Sequence, residues 1–432
     1  MKKSEIVNKI ELLIPSFVIR LYRVCKRFFI WKIQQQEYKK SLKHLREKNR
    51  VLRVIFIVKD TSEWKYASVY RLMELDKQFD PIVFVCPQIY NLTEEKATEK
   101  FYNTYNLFST RGYNVIKACE NVYDESIDIK SLKPDIIFYS TLWTIYLHPK
   151  YNLKSLRKYL KCYVNYGFIN IIGEWSYASA FHGLMWRYFA ECEDIQRLAV
   201  EVQPREFRNI VVTGYPIYDE YHMTRVDYSI WKNDNKKLKR IIWAPHHSIE
   251  GHNGLLNFST FLENAESMLE IAELYNDTVQ FAFKPHPMLL NALYKHPKWG
   301  KEKTDLYYQK WADGKNTILI NGDYIGLFKS SNAMIHDCAS FLIEYMYTRK
   351  PVLYLGLNRD KYSNIVGKKA YNCHYHGNNI EDIKLFIENV VLEGNDELKS
   401  TREAFYNEVL VPPNACSVAE NIVKEIKKSI YG

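Results

Sequence analysis

Three short clusters in the second half of this 432-residue chain carry the side chains that handle phosphate. They are Trp243-Ala244-Pro245-His246-His247-Ser248, Phe283-Lys284-Pro285-His286-Pro287, and the stretch from His336 to Tyr345 that contains Asp337, Ser340 and Glu344. Each follows an apolar run. Lys284 supplies a cation, and His246, His247 and His286 supply imidazoles that can donate or accept a proton near neutral pH. Asp337 and Ser340 stand where a helix would be capped. A helix N-terminus carries free N–H groups and about half a positive charge, and so receives phosphate. Glu344 lies about one turn beyond Ser340 and offers a carboxylate to a ribose hydroxyl. Brought to one point, these groups would bind a nucleotide diphosphate and stabilise its leaving phosphate without a metal. Each also has a plain structural use, as a turn, a cap or a solvent-facing acid.

Other chemistries lack their marks. The chain contains no GxGxxG, GxxxxGK[ST] or DxD, which removes the main support for dinucleotide, P-loop and metal-bridged donor readings. Eight cysteines are dispersed without a CxxC pair and read as reduced thiols. Cys373-His374-Tyr375-His376 is a short run of metal-ligand types that reads as a surface loop. No metal or other cofactor is expected.

The elements that must position these groups alternate in type. Apolar runs at 51–58, 81–86, 113–116, 135–140, 162–167 and 209–214 predict strands, with helices over Ala67–Leu75 and around Glu94–Phe108. After a polar stretch the pattern restarts, with strands at 239–245, 279–283, 316–320, 333–337 and 351–356. Helices are expected over Leu256–Tyr275 and Pro287–His296, then from Ser340, from Ile380 and from Ser417. Strands alternating with helices imply parallel, doubly wound sheets. The reading is an α/β chain of GT-B architecture: 51–216 as a Rossmann-like acceptor domain, 237–412 as a Rossmann-like nucleotide-donor domain, and 413–432 as a helix returning to the first. Such folds bind ligands in the cleft, at the carboxyl ends of strands.

Charge is concentrated at one end. Residues 1–53 hold fifteen Lys/Arg against four Glu, more positive charge than the +10 of the whole chain. The folded body is therefore close to neutral, and a nucleic-acid partner is not expected. Ile6, Ile10, Leu13, Phe17, Leu21, Val24 and Phe28 recur at helical spacing between Arg20, Arg23, Lys26, Arg27 and Lys32. Residues 1–50 thus read as a basic amphipathic helix, kinked at Pro15, that suits an anionic membrane surface, with 34–50 as a spacer. Packing on the chain's own domain or on a second subunit is the alternative. The longest uncharged run there is far short of the ~20 residues that span a bilayer, and no cleavage site follows it. The expected location is cytoplasmic, peripheral on the inner face of a bacterial membrane.

The order APxH, KPHP, DxxSFxxEY and KPVLYL, preceded by TGYPIYD at 213–219, resembles the CDP-glycerol glycerophosphotransferase family, which includes teichoic acid polymerases. The resemblance implies a GT-B fold and peripheral membrane attachment. It also implies transfer of glycerol or ribitol phosphate from a CDP-activated donor to a hydroxyl of a surface polymer, teichoic acid or capsule, with release of CMP. Glycan or lipid-linked polymer is the implied acceptor. His286 matches the family's His-Pro motif near the donor phosphates, Asp337 and Ser340 its pyrophosphate-binding stretch, and Glu344 its ribose-contacting acid. Two positions depart from the family. Asn165-Tyr166-Gly167 stands where the family has Trp-His-Gly, whose His resembles a general base, and His246-His247 replaces a basic pair. His246, His247 or His182 are the substitutes for that base, and His182 has packing in an aromatic cluster as its alternative. A nucleotide-sugar glycosyltransferase, or a non-catalytic glycan-binding relative, would use the same architecture.

Overall fold

The computed structural model describes residues 16–47, 50–90, 92–202, 206–232, 235, 237–249, 258–322, 324–356 and 359–432. Pro15, the apolar positions before it and the expected helix start at Leu256 lie outside these residues. Among the described residues thirteen strands form two wholly parallel sheets. The first takes β1 (Leu52–Val58), β2 (Phe79–Val85), β3 (Val115–Lys117), β4 (Ile136–Tyr139), β5 (Leu160–Val164), β6 (Arg187–Ala190) and β7 (Ile210–Val212), in the order 3-2-1-4-5-6-7. The second takes β8 (Lys239–Ala244), β9 (Val279–Phe283), β10 (Thr317–Leu319), β11 (Ala333–His336), β12 (Val352–Leu355) and β13 (Tyr375–Gly377), in the order 10-9-8-11-12-13. Both sheets reverse direction beside their first strand, the doubly wound arrangement whose ligand crevice lies at that reversal. Together they are the GT-B architecture.

The strands are near-continuous apolar runs because both sheet faces are covered. Leu52–Val58 is buried at all but one position, and Val279–Phe283 at every one. On the outer face of the second sheet Trp243 stacks on Phe261 at 5.6 Å and on Phe283 at 5.0 Å. That aromatic block anchors the two strands from which the His clusters emerge.

Several expectations are corrected. β6 and β13 carry no strand in the sequence reading, being short, and the helix Gly300–Asp313 is a further omission. Cys373 and His374 are not in a surface loop; both are buried beneath β13. The stretch 34–50 is no spacer. Ser16–Glu47 is one helix whose second half docks on the first sheet. Tyr38 and Leu45 are buried, the Tyr38 hydroxyl donates to the Leu184 carbonyl at 2.7 Å, and buried Lys161 donates to Gln34 at 2.9 Å. Polar residues there satisfy backbone and a buried ammonium instead of facing water. The first half of the helix leaves Tyr22, Phe28, Phe29 (64% exposed) and Ile30 in solvent.

The last helix, Val418–Tyr431, opens with a Ser417–Glu420 capping box. It lies on the first half of the chain, where Asp219 of TGYPIYD accepts from the Val418 and Ala419 N–H groups at 2.9 Å each. Gly214 makes that junction possible: its φ is +91°, and a Cβ there would stand 2.7 Å from Pro412.

Candidate active site

Register alone brings the three clusters together. Ala244 pairs with His336 and Trp243 with Phe283, so residues 245–248, 284–287 and 337–340 leave adjacent strands at one level. This is the reversal point of the second sheet. Asp337 stitches the loops. Its Oδ1 accepts from the His246 N–H at 2.5 Å, and its Oδ2 accepts from the Thr260 N–H at 2.6 Å and the Thr260 hydroxyl at 3.1 Å. The carboxylate is buried and occupied by the protein. Asp337 therefore positions the His246 loop.

His246, His247 and His286 form a stack, with ring centroids 4.2 Å apart for the first pair, 4.1 Å for His247 and His286, and 5.1 Å for His246 and His286. One nitrogen from each lies within 4.8 Å of the others, a donor set of the size that phosphate oxygens or a metal ion would use. The His286 Nδ1 accepts from the Met288 N–H at 3.1 Å, which puts the ring proton on Nε2. Ser248 pairs with the His246 Nδ1 at 2.8 Å while its oxygen accepts from the Phe258 N–H at 3.0 Å, so the hydroxyl proton points at His246. The Nε2–H of His246 and His286 are thus donors. Burial, His247 and the Lys284 ammonium push the His286 pKa down to about 3, so the ring is neutral at physiological pH. Lys284, buried against the same cluster, is the cation there.

Ser340 is exposed, and its hydroxyl makes no cap. The element it opens is short, Phe341–Glu344 running into a 3-10 turn Tyr345–Thr348, so its dipole is smaller than the sequence suggests. What it offers an anion is the Ser340 hydroxyl and the Ala339 and Ser340 N–H groups, which have no protein partner among the described residues. Glu344 points inward. Tyr324 donates to its Oε2, and the Tyr215 hydroxyl lies 3.4 Å from its Oε1. A ribose hydroxyl would have to replace one of these tyrosines.

The first half contributes from the ends of β4, β5 and β6. Asn165 is buried and donates to Tyr188 at 2.7 Å and to Glu191 at 2.9 Å. Glu191 is buried with its second oxygen unpartnered, and burial raises its pKa to about 7. Tyr166, beside it, is partly exposed. Burial raises its hydroxyl pKa, partly offset by the nearby Trp143 indole. His182 stands behind Asn165, one side chain away across Tyr188. It is buried among Phe181, Tyr163 and Tyr188, its Nδ1 pairs with Ser179 at 2.8 Å, and burial pushes its pKa down to about 3.

The two halves meet through the segment 169–172. Asn170 donates to the Ala339 carbonyl at 2.5 Å and accepts from the Asn364 N–H at 3.0 Å, and the Ile172 N–H donates to Tyr362 at 2.9 Å. The Tyr215 hydroxyl is shared between the Tyr166 carbonyl, 3.1 Å away, and Glu344. The structure thus joins Lys284, His246, His247, His286 and Asp337 in one cluster, with exposed Ser340 on the loop that follows Asp337. Glu344 is one tyrosine away, with Asn165 and Tyr166 across the junction and His182 behind Asn165, buried against Tyr188. Glu191 and Tyr215 were missed: the four-residue strand before Glu191 is too short to reveal a strand end, and Tyr215 sits in TGYPIYD without a chemical pattern of its own.

Among solved structures, a variant of the wall teichoic acid polymerase TagF superposes with a TM-score of 0.58 at 13% identity, covering 96% of this chain and 98% of that one. S. aureus MnaA in complex with UDP gives 0.54 at 15% identity, covering 88% and 97%. A UDP-N-acetylglucosamine 2-epimerase from Listeria monocytogenes gives 0.53 at 14%, covering 88% and 96%. At such identities these share the fold. No curated protein sequence matches the chain. The profile of CDP-glycerol:poly(glycerophosphate) glycerophosphotransferase matches residues 185–428, which span β6, the whole second sheet with its His cluster, and most of the closing helix. That is more than half of the chain, and the protein is therefore a transferase that belongs to the CDP-glycerol:poly(glycerophosphate) glycerophosphotransferase family.

Proposed function

We propose that this chain moves a polyol phosphate, glycerol or ribitol phosphate, from a CDP-activated donor to a hydroxyl of a glycan or lipid-linked polymer. The observation that carries the reading is the cluster at the reversal of the second sheet: two oriented imidazole N–H donors, Lys284, and the Ser340 hydroxyl and backbone N–H groups. The acceptor oxygen attacks the phosphorus that bears the polyol, the bond from that phosphorus to the bridging oxygen breaks, and CMP leaves with the electron pair. His247, partly exposed against His286, takes the acceptor proton. His246, His286 and Lys284 hold the charge that grows on the bridging and non-bridging oxygens, a preorganised arrangement of fixed donors. In this reading protein donors hold that charge and no metal takes part.

The acceptor would be presented at a membrane surface. No helix among the described residues is long and apolar enough to cross a membrane. The exposed aromatic end of Ser16–Glu47, flanked by Lys26 and Lys32, suits an anionic interface on the inner face of the cell membrane. His286→Ala tests the site. Incubated with CDP-glycerol and bacterial membranes, wild type should release CMP and the variant should not, with an unchanged circular dichroism spectrum. Near-normal CMP release by the variant would overturn the assignment.

A further inference from the structure

Glu344 is held by two tyrosine hydroxyls, and the two contacts are unlike. Tyr324, from the second half of the chain, donates to Oε2. Tyr215, from the first half, stands 3.4 Å from Oε1 and 3.1 Å from the Tyr166 carbonyl oxygen. Burial, and then the Glu344 carboxylate beside it, raises the Tyr215 pKa well above its usual range. The group is therefore a phenol with one proton for two acceptors. The shorter contact takes that proton best, and Oε1 keeps the long one. The Tyr215 side chain is fully buried, with its ring on Phe168 at 5.4 Å. It thus touches the segment 165–170 at two points. That segment is tied at both ends: Asn165 donates to Tyr188 and Glu191, and Asn170 donates to the Ala339 carbonyl, between Asp337 and Ser340. Between these ties, the hold of Tyr215 on the Tyr166 carbonyl is set by where one proton points.

We propose that Tyr215 is a positioning residue through which the ribose of the bound nucleotide fixes the segment 165–170. A ribose hydroxyl that donates to Glu344 Oε1 takes the place of Tyr215 there, and the Tyr215 proton then belongs wholly to the Tyr166 carbonyl. The inference rests on the nucleotide-donor reading above and adds how the ribose is felt outside its own contact. Hydrogen bonds are conserved in the exchange: one O–H replaces another at Oε1, and the carbonyl gains what the carboxylate gives up. The Tyr215 backbone need not move. Its carbonyl accepts from the Tyr218 N–H at 3.0 Å, and the preceding Gly214 is packed against Pro412. A nucleotide without ribose hydroxyls still meets the His cluster through its phosphate but leaves the proton shared. Ribose therefore acts on turnover more than on binding, because the segment it orders carries Asn165 and Tyr166 to the junction. Tyr324 is unsuited to the same part, since it comes from the same half as Glu344 and its bond there is the short one.

The test uses the full-length chain and amide hydrogen exchange across 166–172. The probes are CMP and 2′,3′-dideoxycytidine 5′-monophosphate, each at saturation as judged by its melting shift. In wild type CMP should slow exchange of the segment about fivefold, the factor one hydrogen bond is worth, and the dideoxy nucleotide should not. Tyr215→Phe keeps the ring on Phe168. It should bind CMP as wild type does, because the hydroxyl it lacks is the one that ribose displaces, yet its segment should exchange equally with and without CMP. With CDP-glycerol its kcat should fall about fivefold at an unchanged KM, a split that general loosening would not give. An equal response of wild type to both nucleotides would overturn the proposal, and that comparison stands whether or not the variant folds. So would a CMP response kept by Tyr215→Phe, or CMP binding weakened in it, which would make Tyr215 a direct nucleotide contact. Failure of the donor reading is distinct. Wild type would then show no melting shift with CMP at all, whereas a CMP shift with an unresponsive segment overturns this inference alone.

Discussion

Asp337→Asn separates two roles for a residue that sequence alone places at the phosphate. The carboxylate accepts the His246 N–H, the Thr260 N–H and the Thr260 hydroxyl, all inside the protein. An asparagine keeps the shape but replaces one acceptor oxygen with an NH2 group that faces an N–H. One charge-assisted hydrogen bond of about 1.5–3 kcal/mol is lost, partly offset because a buried charge is removed. The expected net cost is about 2 kcal/mol. For a domain of this size that lowers the melting temperature by about 4–8 °C. Alanine orphans both backbone donors and should cost about 4 kcal/mol. The assay is a melting curve without ligand, paired with the shift that CMP adds. A clamp predicts a large loss without ligand, and CMP affinity that falls through misplacement of His246. If Asp337→Asn melts like wild type without ligand and loses only the CMP shift, Asp337 is a direct donor contact and the clamp argument is wrong.

Three further outcomes follow from the same geometry. A Cβ at Gly367 would stand 2.1 Å from the Asn170 carbonyl oxygen, so Gly367→Ala should push the two halves apart, and small-angle scattering should show a larger radius of gyration with slower CMP release; an unchanged profile would contradict this. Glu191 has its pKa raised from the usual carboxyl range to about 7, so the folded state keeps a proton that the unfolded state releases between pH 4.5 and 7, and stability falls as pH rises through that window. Glu191→Gln should match wild type in urea unfolding at pH 4.5 and exceed it by about 3 kcal/mol at pH 8, and a gain equal at both pH values would refute the burial argument. Turnover should persist in EDTA; loss restored by zinc would show that the three imidazoles of His246, His247 and His286 hold a metal during the reaction instead of phosphate.

Much of the fold was legible because parallel strands buried on both faces are written as unbroken apolar runs, and β1, β2, β8 and β9 are long enough to read. β6 and β13 are too short for periodicity to separate from a loop, so Glu191 was missed and Cys373-His374 was placed at the surface. The helix Ser16–Glu47 misled for a different reason. Its polar residues at Gln34, Tyr38 and Ser41 look solvated by type, but their partners, Lys161 and the Leu184 and Lys158 carbonyls, come from far along the chain. The His clusters were found because Pro and His at strand ends are unusual types in a conspicuous place. Their division of labour was not legible. Whether Asp337 caps a helix, touches phosphate or clamps a loop depends on Thr260, and nothing in the spacing from 260 to 337 announces that contact.

The donor class is the centre of the account, and a melting-temperature comparison of the purified protein with CMP, CDP-glycerol, UDP and GDP tests it most directly. At a concentration 100 times its dissociation constant, a ligand adds about 2.7 kcal/mol of apparent stability. The account predicts that shift with CMP and CDP-glycerol and its loss in His286→Ala. A shift with UDP or GDP and none with the cytidine nucleotides would contradict it.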